Sequence, residues 1–176
     1  MKKELSSIPL ILFVSILIIF TYLLLKERNP KELPSALIGK NVPTFDAESL
    51  LKEEKFISPK EFKNKITLVN FFASWCKPCR DEHLFIKTFS KNEKIKIIGI
   101  NYKDNIKKTT EWLNKSGNPY NNIVIDKKGK IAIEWGVYGI PETFLVDSDG
   151  IIKYRHVGPI TDEIFKKINL IIDENE

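Results

Sequence analysis

The chain has 176 residues, of which 43% are hydrophobic and 29% are charged, and its net charge is +5. This length suits one folded domain, and the composition excludes wholesale disorder. Acidic residues alternate with the lysines throughout, so no basic cluster indicates a nucleic-acid partner.

The first predicted element is an apolar segment, Ile8–Leu25, which contains no charged residue. At about 1.5 Å per helical residue it nearly spans a hydrocarbon core of about 30 Å. It is longer than the roughly 7–15 residues of a signal-peptide core, and no small-residue cleavage site follows it. We therefore predict an uncleaved transmembrane signal anchor at 8–25, rather than a cleaved signal peptide or a buried core helix. A short N-terminus at 1–7 precedes it and a polar tether at 26–37 follows it. Because lysines flank both ends, the charges do not decide its orientation.

The next elements lead into a buried strand. The stretch "IGKNVPTFDAESLL" predicts an irregular or hairpin opening, and "SPKEF" predicts a short helix with Ser58 as N-cap and Glu61 three residues later. The run "KITLVNFFAS" is too continuously apolar for a one-faced strand and predicts a central strand covered on both faces. A helix is predicted from Lys77 to about Lys91.

The second half alternates strands and helices. The strands are "IKIIGI" and "NNIVI", and between them lies a helix with Asp104 as its predicted N-cap. A weak short helix in "KKGKIAIEWGVYG" is followed by the hairpin "ETFLVDSDGIIKYRHVG" and by a C-terminal helix capped by Thr161. This order predicts one α/β domain at 38–176, with parallel strands joined by right-handed crossovers and an antiparallel portion from the hairpin.

The only two cysteines, Cys76 and Cys79, follow the central strand and open the helix. A helix N-terminus offers unpaired N–H groups that favour a thiolate, so the pKa of Cys76 is expected below about 8.5. The thiolate is the attacking species in disulfide exchange. Since Cys79 lies one turn later, it can attack a mixed disulfide formed on Cys76. The pair is therefore predicted to be a redox couple.

Three other interpretations of the pair compete with a redox couple. A structural disulfide would close a very small loop and stabilise little. A metal site is short of ligands, although Cys76, Cys79 and His83 would make a partial site for copper(I). Covalent haem attachment is excluded because Arg80, and not histidine, follows the second cysteine.

Four stretches together resemble a known family: "FFASWCKPCRDEH", "GINYKD", "WGVYGIPETFLVD" and "GIIKYRHVG". They are similar to the thioredoxin superfamily and, within it, to the membrane-anchored thiol–disulfide interchange proteins of cytochrome c biogenesis, the CcmG/DsbE family. The likeness covers nearly the whole chain. It implies a thioredoxin-like fold with a central mixed sheet, a Cys76 nucleophile, a resolving Cys79, and no metal or cofactor beyond the redox-active disulfide.

The same resemblance implies roles for further residues. Trp75 would wall the site, Pro141 would be a cis-proline facing the cysteines, and the backbone of Ile140 would pair with an extended partner peptide. Glu82 and Glu142 resemble acidic residues that line the active-site groove. Their negative charge would disfavour the thiolate and so make the couple more reducing.

One position departs from the general thioredoxin pattern. Asn70 stands six residues before Cys76, where that pattern has a buried aspartate. An amide cannot accept the proton of the resolving cysteine, so Glu82, Glu142 or water would have to do so.

The resemblance implies a reductase that keeps the C-x-x-C-H cysteines of apocytochrome c reduced, directly or through a haem-ligation dithiol protein. A transmembrane thiol electron donor, DsbD/CcdA-like, would re-reduce it. This chemistry would place the domain in the periplasm, the anchor in the bacterial inner membrane and residues 1–7 in the cytoplasm. A general periplasmic thiol reductase, a copper(I) chaperone and a disulfide oxidant remain as alternatives.

Overall fold

The structure is a computed structural model that describes residues 8–25, 36–45, 47–50 and 56–174. The chain divides into two compact units, Met1–Leu33 and Pro34–Glu176. The predicted N-terminal segment at 1–7 and residues 26–35 of the predicted tether lie outside the described residues.

The described part of the first unit is the helix α1 (Ile8–Leu25), whose described side chains are largely exposed. Among the parts of the chain that the structure describes, no helix meets the length and hydropathy required to cross a membrane. The transmembrane anchor stays a prediction.

The second unit is built on a mixed sheet with the strand order β5-β4-β3-β6-β7. Strands β3, β4 and β5 run parallel, and β6 and β7 are antiparallel to their neighbours, as the alternation and the hairpin predicted. A separate short ladder joins β1 to β2 in the opening segment. The strands are β1 (Ala47–Glu48), β2 (Phe56–Ile57), β3 (Ile66–Phe72), β4 (Ile95–Tyr102), β5 (Asn122–Asp126), β6 (Glu142–Val146) and β7 (Ile152–Val157).

The helices of this unit begin and end close to the predicted positions, with one difference. The predicted helix from Lys77 to Lys91 is divided at Glu82, whose side chain turns into the core. The helices are a 3₁₀ turn (Pro59–Phe62), α2 (Lys77–Asp81), α3 (His83–Phe89), α4 (Ile106–Ser116), α5 (Lys130–Glu134) and α6 (Asp162–Glu174).

Strand β3 is buried over its whole length, as its continuous apolar sequence predicted. Successive strand residues point to opposite faces. Leu68 and Phe72 therefore pack in the cluster that includes residues of α3, α4 and α6. Val69 and Phe71 pack in the cluster on the other face, with α5 and the 3₁₀ turn. Helices thus cover both faces of the sheet.

The helix caps correct one prediction. Asn105, and not Asp104, is the N-cap of α4, because the Asn105 side chain accepts from the N–H of Lys108. Asp104 is engaged elsewhere, as described below. Ser58 stands at the N-cap of the 3₁₀ turn without a side-chain cap bond, whereas Thr161 Oγ1 accepts from Ile164 N–H at 3.4 Å, as expected of a cap.

Candidate active site

The two cysteines form a disulfide at the end of β3, with an S–S distance of 2.05 Å and a Cα–Cα distance of 5.3 Å. Cys76 is the N-cap of α2, and the N–H of Cys79 donates to Cys76 Sγ at 3.1 Å. Both residues are almost fully buried, with 3% and 2% of their surface exposed. When the pair is reduced, this backbone donor can stabilise negative charge on the Cys76 sulfur.

A loop before β6 lies against the cysteine pair. The Ile140–Pro141 peptide bond is cis, as the resemblance implied. The carbonyl oxygen of Ile140 lies 3.8 Å from Cys76 Sγ, so the backbone before Pro141 meets the sulfur that is predicted to attack. The use of this backbone by a partner peptide stays a prediction.

Trp75, directly before the pair, is 56% exposed. Its Nε1–H donates to the carbonyl oxygen of Lys103 at 3.3 Å, which holds the indole beside the loop that follows β4. The predicted contact between this ring and a partner stays a prediction.

Asp104 fastens the chain before the cysteines to the end of β4. Its carboxylate accepts from the backbone N–H and the hydroxyl of Ser74, from Asn101 Nδ2 and from the hydroxyl of Thr109. Burial opposes its ionisation, but these donors outweigh that cost and hold the pKa of Asp104 below its usual value. The sequence predicts Asp104 as a helix cap, and its bonds to Ser74, Asn101 and Thr109 are seen only in the structure.

Glu82 is buried on the same face of the sheet as the cysteines, with only 1% of its surface exposed. Its carboxylate accepts from the N–H of Ile160 and from Asn70 Nδ2, both at 2.8 Å. Burial raises the pKa of Glu82 to about 7, although the two donors partly offset it. A carboxyl group with this pKa can exchange a proton near neutral pH, one turn after Cys79.

Asn70 connects Glu82 to two residues that the sequence did not indicate. Asn70 Oδ1 accepts from the hydroxyl of Tyr120 at 2.8 Å, and Nδ2 also lies 3.1 Å from Thr143 Oγ1. Burial, and then the negative charge of Glu82, raise the pKa of Tyr120 well above its usual value, so its hydroxyl stays a donor. The position of the usual buried aspartate is therefore part of a polar cluster made of Asn70, Glu82, Tyr120 and Thr143.

The structure does not bring Glu142 together with Glu82. In the ladder between β3 and β6, Glu142 is paired with Phe71, the residue next to Asn70. Adjacent strand residues point to opposite faces, so the Glu142 side chain lies on the face of the sheet opposite to that of Asn70. There Arg155 binds its carboxylate with an N–O distance of 2.7 Å, and the N–H of Tyr138 donates to it at 3.2 Å. Burial raises the pKa of Glu142, and Arg155 partly offsets the effect. Of the two predicted acids, Glu82 shares its face with the cysteines and Asn70.

His83, the third ligand of the copper alternative, is engaged elsewhere. Its Nε2 lies 2.9 Å from the carbonyl oxygen of Gly117, and its ring packs on Trp112 with the centroids 4.7 Å apart. Burial lowers the pKa of His83. Within the described ranges, no three cysteine, histidine or acidic side chains are grouped so as to hold a metal ion.

A buried cysteine pair at the start of a helix, with a cis-proline loop against it and a mixed sheet behind it, defines a thiol:disulfide oxidoreductase with a thioredoxin-like fold. Residues 37–169 match the Redoxin family model, and the chain belongs to that family, among its thiol:disulfide interchange proteins.

Known relatives are similar in sequence to this chain over most of its length. It is 42% identical over 163 residues to the thiol:disulfide interchange protein DsbE of Vibrio cholerae serotype O1, covering 91% of this chain and 88% of the relative. It is 45% identical over 140 residues to the thiol:disulfide interchange protein CycY of Rhizobium leguminosarum bv. viciae, covering 80% and 75%.

Solved structures have the same fold. A thiol:disulfide interchange protein of the thioredoxin family from Chlorobium tepidum superposes with a TM-score of 0.63 at 23% identity, covering 77% of this chain and 94% of that one. A DsbF homologue from Corynebacterium diphtheriae gives a TM-score of 0.67 at 22% identity, covering 77% and 86%.

Proposed function

We propose that this thiol:disulfide oxidoreductase works as a reductant of disulfides in the periplasm. Its partner is the oxidised C-x-x-C-H pair of apocytochrome c, or a dithiol protein that serves haem attachment. The observation that carries this proposal is the buried Glu82, which lies one turn after Cys79 and is held by Asn70 and Ile160. The relatives support it through their name, which is thiol:disulfide interchange protein.

The first chemical step uses Cys76. Its thiolate attacks one sulfur of the partner disulfide, so a Cys76–partner bond forms while the partner S–S bond breaks. The partner thiolate that leaves takes a proton from solvent. The N–H of Cys79, 3.1 Å from Cys76 Sγ in the oxidised form, favours the attacking thiolate.

The second step uses Cys79 and Glu82. The ionised Glu82 takes the proton of the Cys79 thiol, and the Cys79 thiolate attacks Cys76 Sγ. The Cys76–Cys79 bond forms, the mixed disulfide breaks, and the second partner thiolate leaves. Two electrons have then passed from the cysteine pair to the partner, and a transmembrane thiol electron donor returns them.

The buried Glu82, one turn after Cys79, supports the reducing direction. A buried carboxylate that is ionised near the sulfurs disfavours the thiolate, and a reduced form that is less stabilised makes a stronger reductant. A reduction potential near that of strong oxidants such as DsbA, about −120 mV, would contradict this direction. Titration of the oxidised protein against a dithiol buffer measures the reduction potential of the Cys76–Cys79 pair.

Partner trapping tests direction and partner together. In the full chain, Cys79→Ser leaves Cys76 able to attack but removes the thiol that resolves the product. We expect it to accumulate a mixed disulfide with an apocytochrome or a cytochrome-maturation dithiol protein. Cys76→Ser is the matched control, because it keeps one thiol and lacks the attacking one. Recovery of unrelated oxidised proteins alone would favour the general periplasmic reductase.

The copper chaperone gains no support from the geometry, because His83 Nε2 is bound to Gly117. Copper(I) binding that disappears in His83→Ala, in a protein without disulfide-reductase activity, would revive it. If the His83→Ala variant loses copper(I) binding but keeps disulfide-reductase activity, the proposed oxidoreductase function stands.

We place the domain on the periplasmic face of the inner membrane, attached through α1. The support is the uncharged sequence of Ile8–Leu25 and the need for an extracytoplasmic disulfide partner. Alkaline extraction of membranes should retain the full chain and release a chain that lacks residues 1–33. Release of both chains would contradict the attachment.

A further inference from the structure

We infer that Tyr120 is a positioning residue for Glu82, acting through the side-chain amide of Asn70. The inference rests on the proposed role of Glu82 as the proton acceptor for Cys79. It assigns to Tyr120 the task of turning the donor end of the amide toward that carboxylate.

The hydroxyl of Tyr120 fixes which end of the amide faces Glu82. It donates to Asn70 Oδ1 at 2.8 Å, and this leaves Nδ2 to donate to Glu82 Oε1 at 2.8 Å. Reversal of the amide would set its oxygen against the carboxylate oxygen and leave two acceptors facing each other. The tyrosine therefore favours the orientation that the ionised form of Glu82 requires.

The Tyr120 ring reaches Asn70 across strand β4, because the β4 residue beside the ring is a glycine and has no side chain. Gly99 on β4 is directly paired with Asn70 on β3. A Cβ added at Gly99 would lie 2.7 Å from the Phe72 ring and 2.9 Å from the Tyr120 ring. These two rings stack with their centroids 4.6 Å apart and an interplanar angle of 14°. Gly99 thus provides the space that the tyrosine occupies.

The backbone on each side of the ring is fastened. The N–H of Tyr120 donates to Asn118 Oδ1 at 3.0 Å, and the N–H of the next residue, Asn121, donates to the carbonyl oxygen of Ile97 at 2.8 Å. Asn121 Oδ1 in turn accepts from the N–H of Ile97 at 2.7 Å. The Tyr120 hydroxyl therefore reaches Asn70 from the segment before β5, which Asn121 holds against Ile97 of β4.

Few groups besides Tyr120 can titrate next to Glu82. Cys79 lies one turn earlier on α2, and the neighbouring His83 is turned to Gly117. The groups from β6 and from the segment before α6 are the hydroxyl of Thr143 and the N–H of Ile160, which keep their protons. A change in the Glu82 titration after removal of the Tyr120 hydroxyl can therefore be assigned to the amide between them.

The test is a carboxyl titration by NMR on the full, oxidised chain in detergent, with 13C-labelled glutamate. The Glu82 resonance is identified by its loss in Glu82→Gln. Tyr120→Phe keeps the ring and removes the hydroxyl, so the ionised carboxylate loses an oriented donor. We expect the Glu82 midpoint to rise by about 0.5 to 1 pH unit, the equivalent of one hydrogen bond. Tyr102→Phe, on the opposite face of the sheet, is the matched control and should leave the midpoint unchanged.

A double-mutant cycle shows whether the effect passes through Asn70. In an Asn70→Ala background, the added Tyr120→Phe change should no longer move the Glu82 midpoint. An unchanged midpoint in the single Tyr120→Phe variant would overturn the inference. A shift that persists in full without the Asn70 amide would also overturn it.

A kinetic measurement separates this inference from the proposed function. The pH profile for release of a mixed disulfide between Cys76 and a model peptide should shift upward in Tyr120→Phe together with the Glu82 midpoint. If the midpoint moves and the release profile does not, Tyr120 positions Glu82 and the proposed base is wrong. If Glu82→Gln slows release while Tyr120→Phe changes neither quantity, the proposed base stands and the inference falls.

Discussion

Burial of the Glu82 carboxyl group makes the stability of the folded protein depend on pH. Its pKa is about 7 in the folded protein and near 4.5 when exposed, so the folded state binds the extra proton between these values. The free energy of unfolding must therefore fall as pH rises through this interval, and the decrease is complete above about pH 7. A shift of this size corresponds to about 3 kcal/mol.

We expect the Glu82→Gln variant to lose this dependence. Between about pH 4 and about pH 8, the free energy of unfolding of the native protein should fall by about 3 kcal/mol relative to the variant. Urea unfolding of both oxidised proteins measures the difference, since the cysteines do not titrate in the disulfide. Glu93→Gln, at an exposed position, should parallel the native protein. Parallel curves for Glu82→Gln would show that Glu82 ionises normally.

The family resemblance was enough to nominate Glu82 but not its surroundings. Asn70 differs from the aspartate of the general thioredoxin pattern, and Glu82 resembles an acidic residue of the active-site groove. Tyr120 is 50 residues from Asn70 in the chain and meets it only because the sheet places Gly99 between them. No local pattern records such a contact.

At the scale of elements, the loop that carries the cysteines is held by the end of β4. The Asp104 carboxylate binds both the N–H and the hydroxyl of Ser74, and the Arg80 guanidinium donates to the Ser74 carbonyl oxygen at 3.2 Å. An aspartate directly before a helix is typical of an N-cap, which explains the prediction of that role from sequence. The cap is instead Asn105, and Asp104 is free to join the two loops.

Asp104→Asn should loosen this junction. The amide keeps the size of the carboxylate but turns an N–H₂ group toward at least one of the donors, so we expect a loss of about 2 kcal/mol in unfolding free energy. Amide hydrogen exchange at Ser74 and Trp75 should accelerate by more than the decrease in the global free energy of unfolding would cause by itself. Asp149→Asn, an exposed aspartate in the β6–β7 turn, is the matched control. Equal exchange at these two amides in both variants would show that Asp104 does not fasten the loop.

The alternation of residues along β6 explains why the two predicted acids lie on opposite faces of the sheet. The sequence placed Glu142 directly after Pro141, which suggested the active-site groove. A strand turns consecutive side chains to opposite faces, so Thr143 meets Asn70 while Glu142 meets Arg155 behind the sheet. The register that decides this is a property of the β3–β6 pairing, and the local sequence does not specify it.

At the scale of the whole molecule, the sequence predicted the class of fold because strand and helix signals alternate clearly. The order of the five strands depends on where β6 and β7 join the sheet, beside β3 and away from β4. That choice is made by packing on both faces. Trp135 on one side and Ile168 on the other are fully buried against elements far away in the chain.

Both core clusters and every residue of the site belong to the unit Pro34–Glu176. We therefore expect a chain without residues 1–33 to unfold in one cooperative transition, since removal of those residues takes no side chain from either cluster. Its Cys76–Cys79 pair should have the same reduction potential as the full chain in detergent. Thermal unfolding monitored by near-UV circular dichroism, and equilibration with a dithiol buffer, measure the two quantities. A broad transition, or a potential that moves when residues 1–33 are removed, would mean that the first unit contributes to the environment of the cysteines.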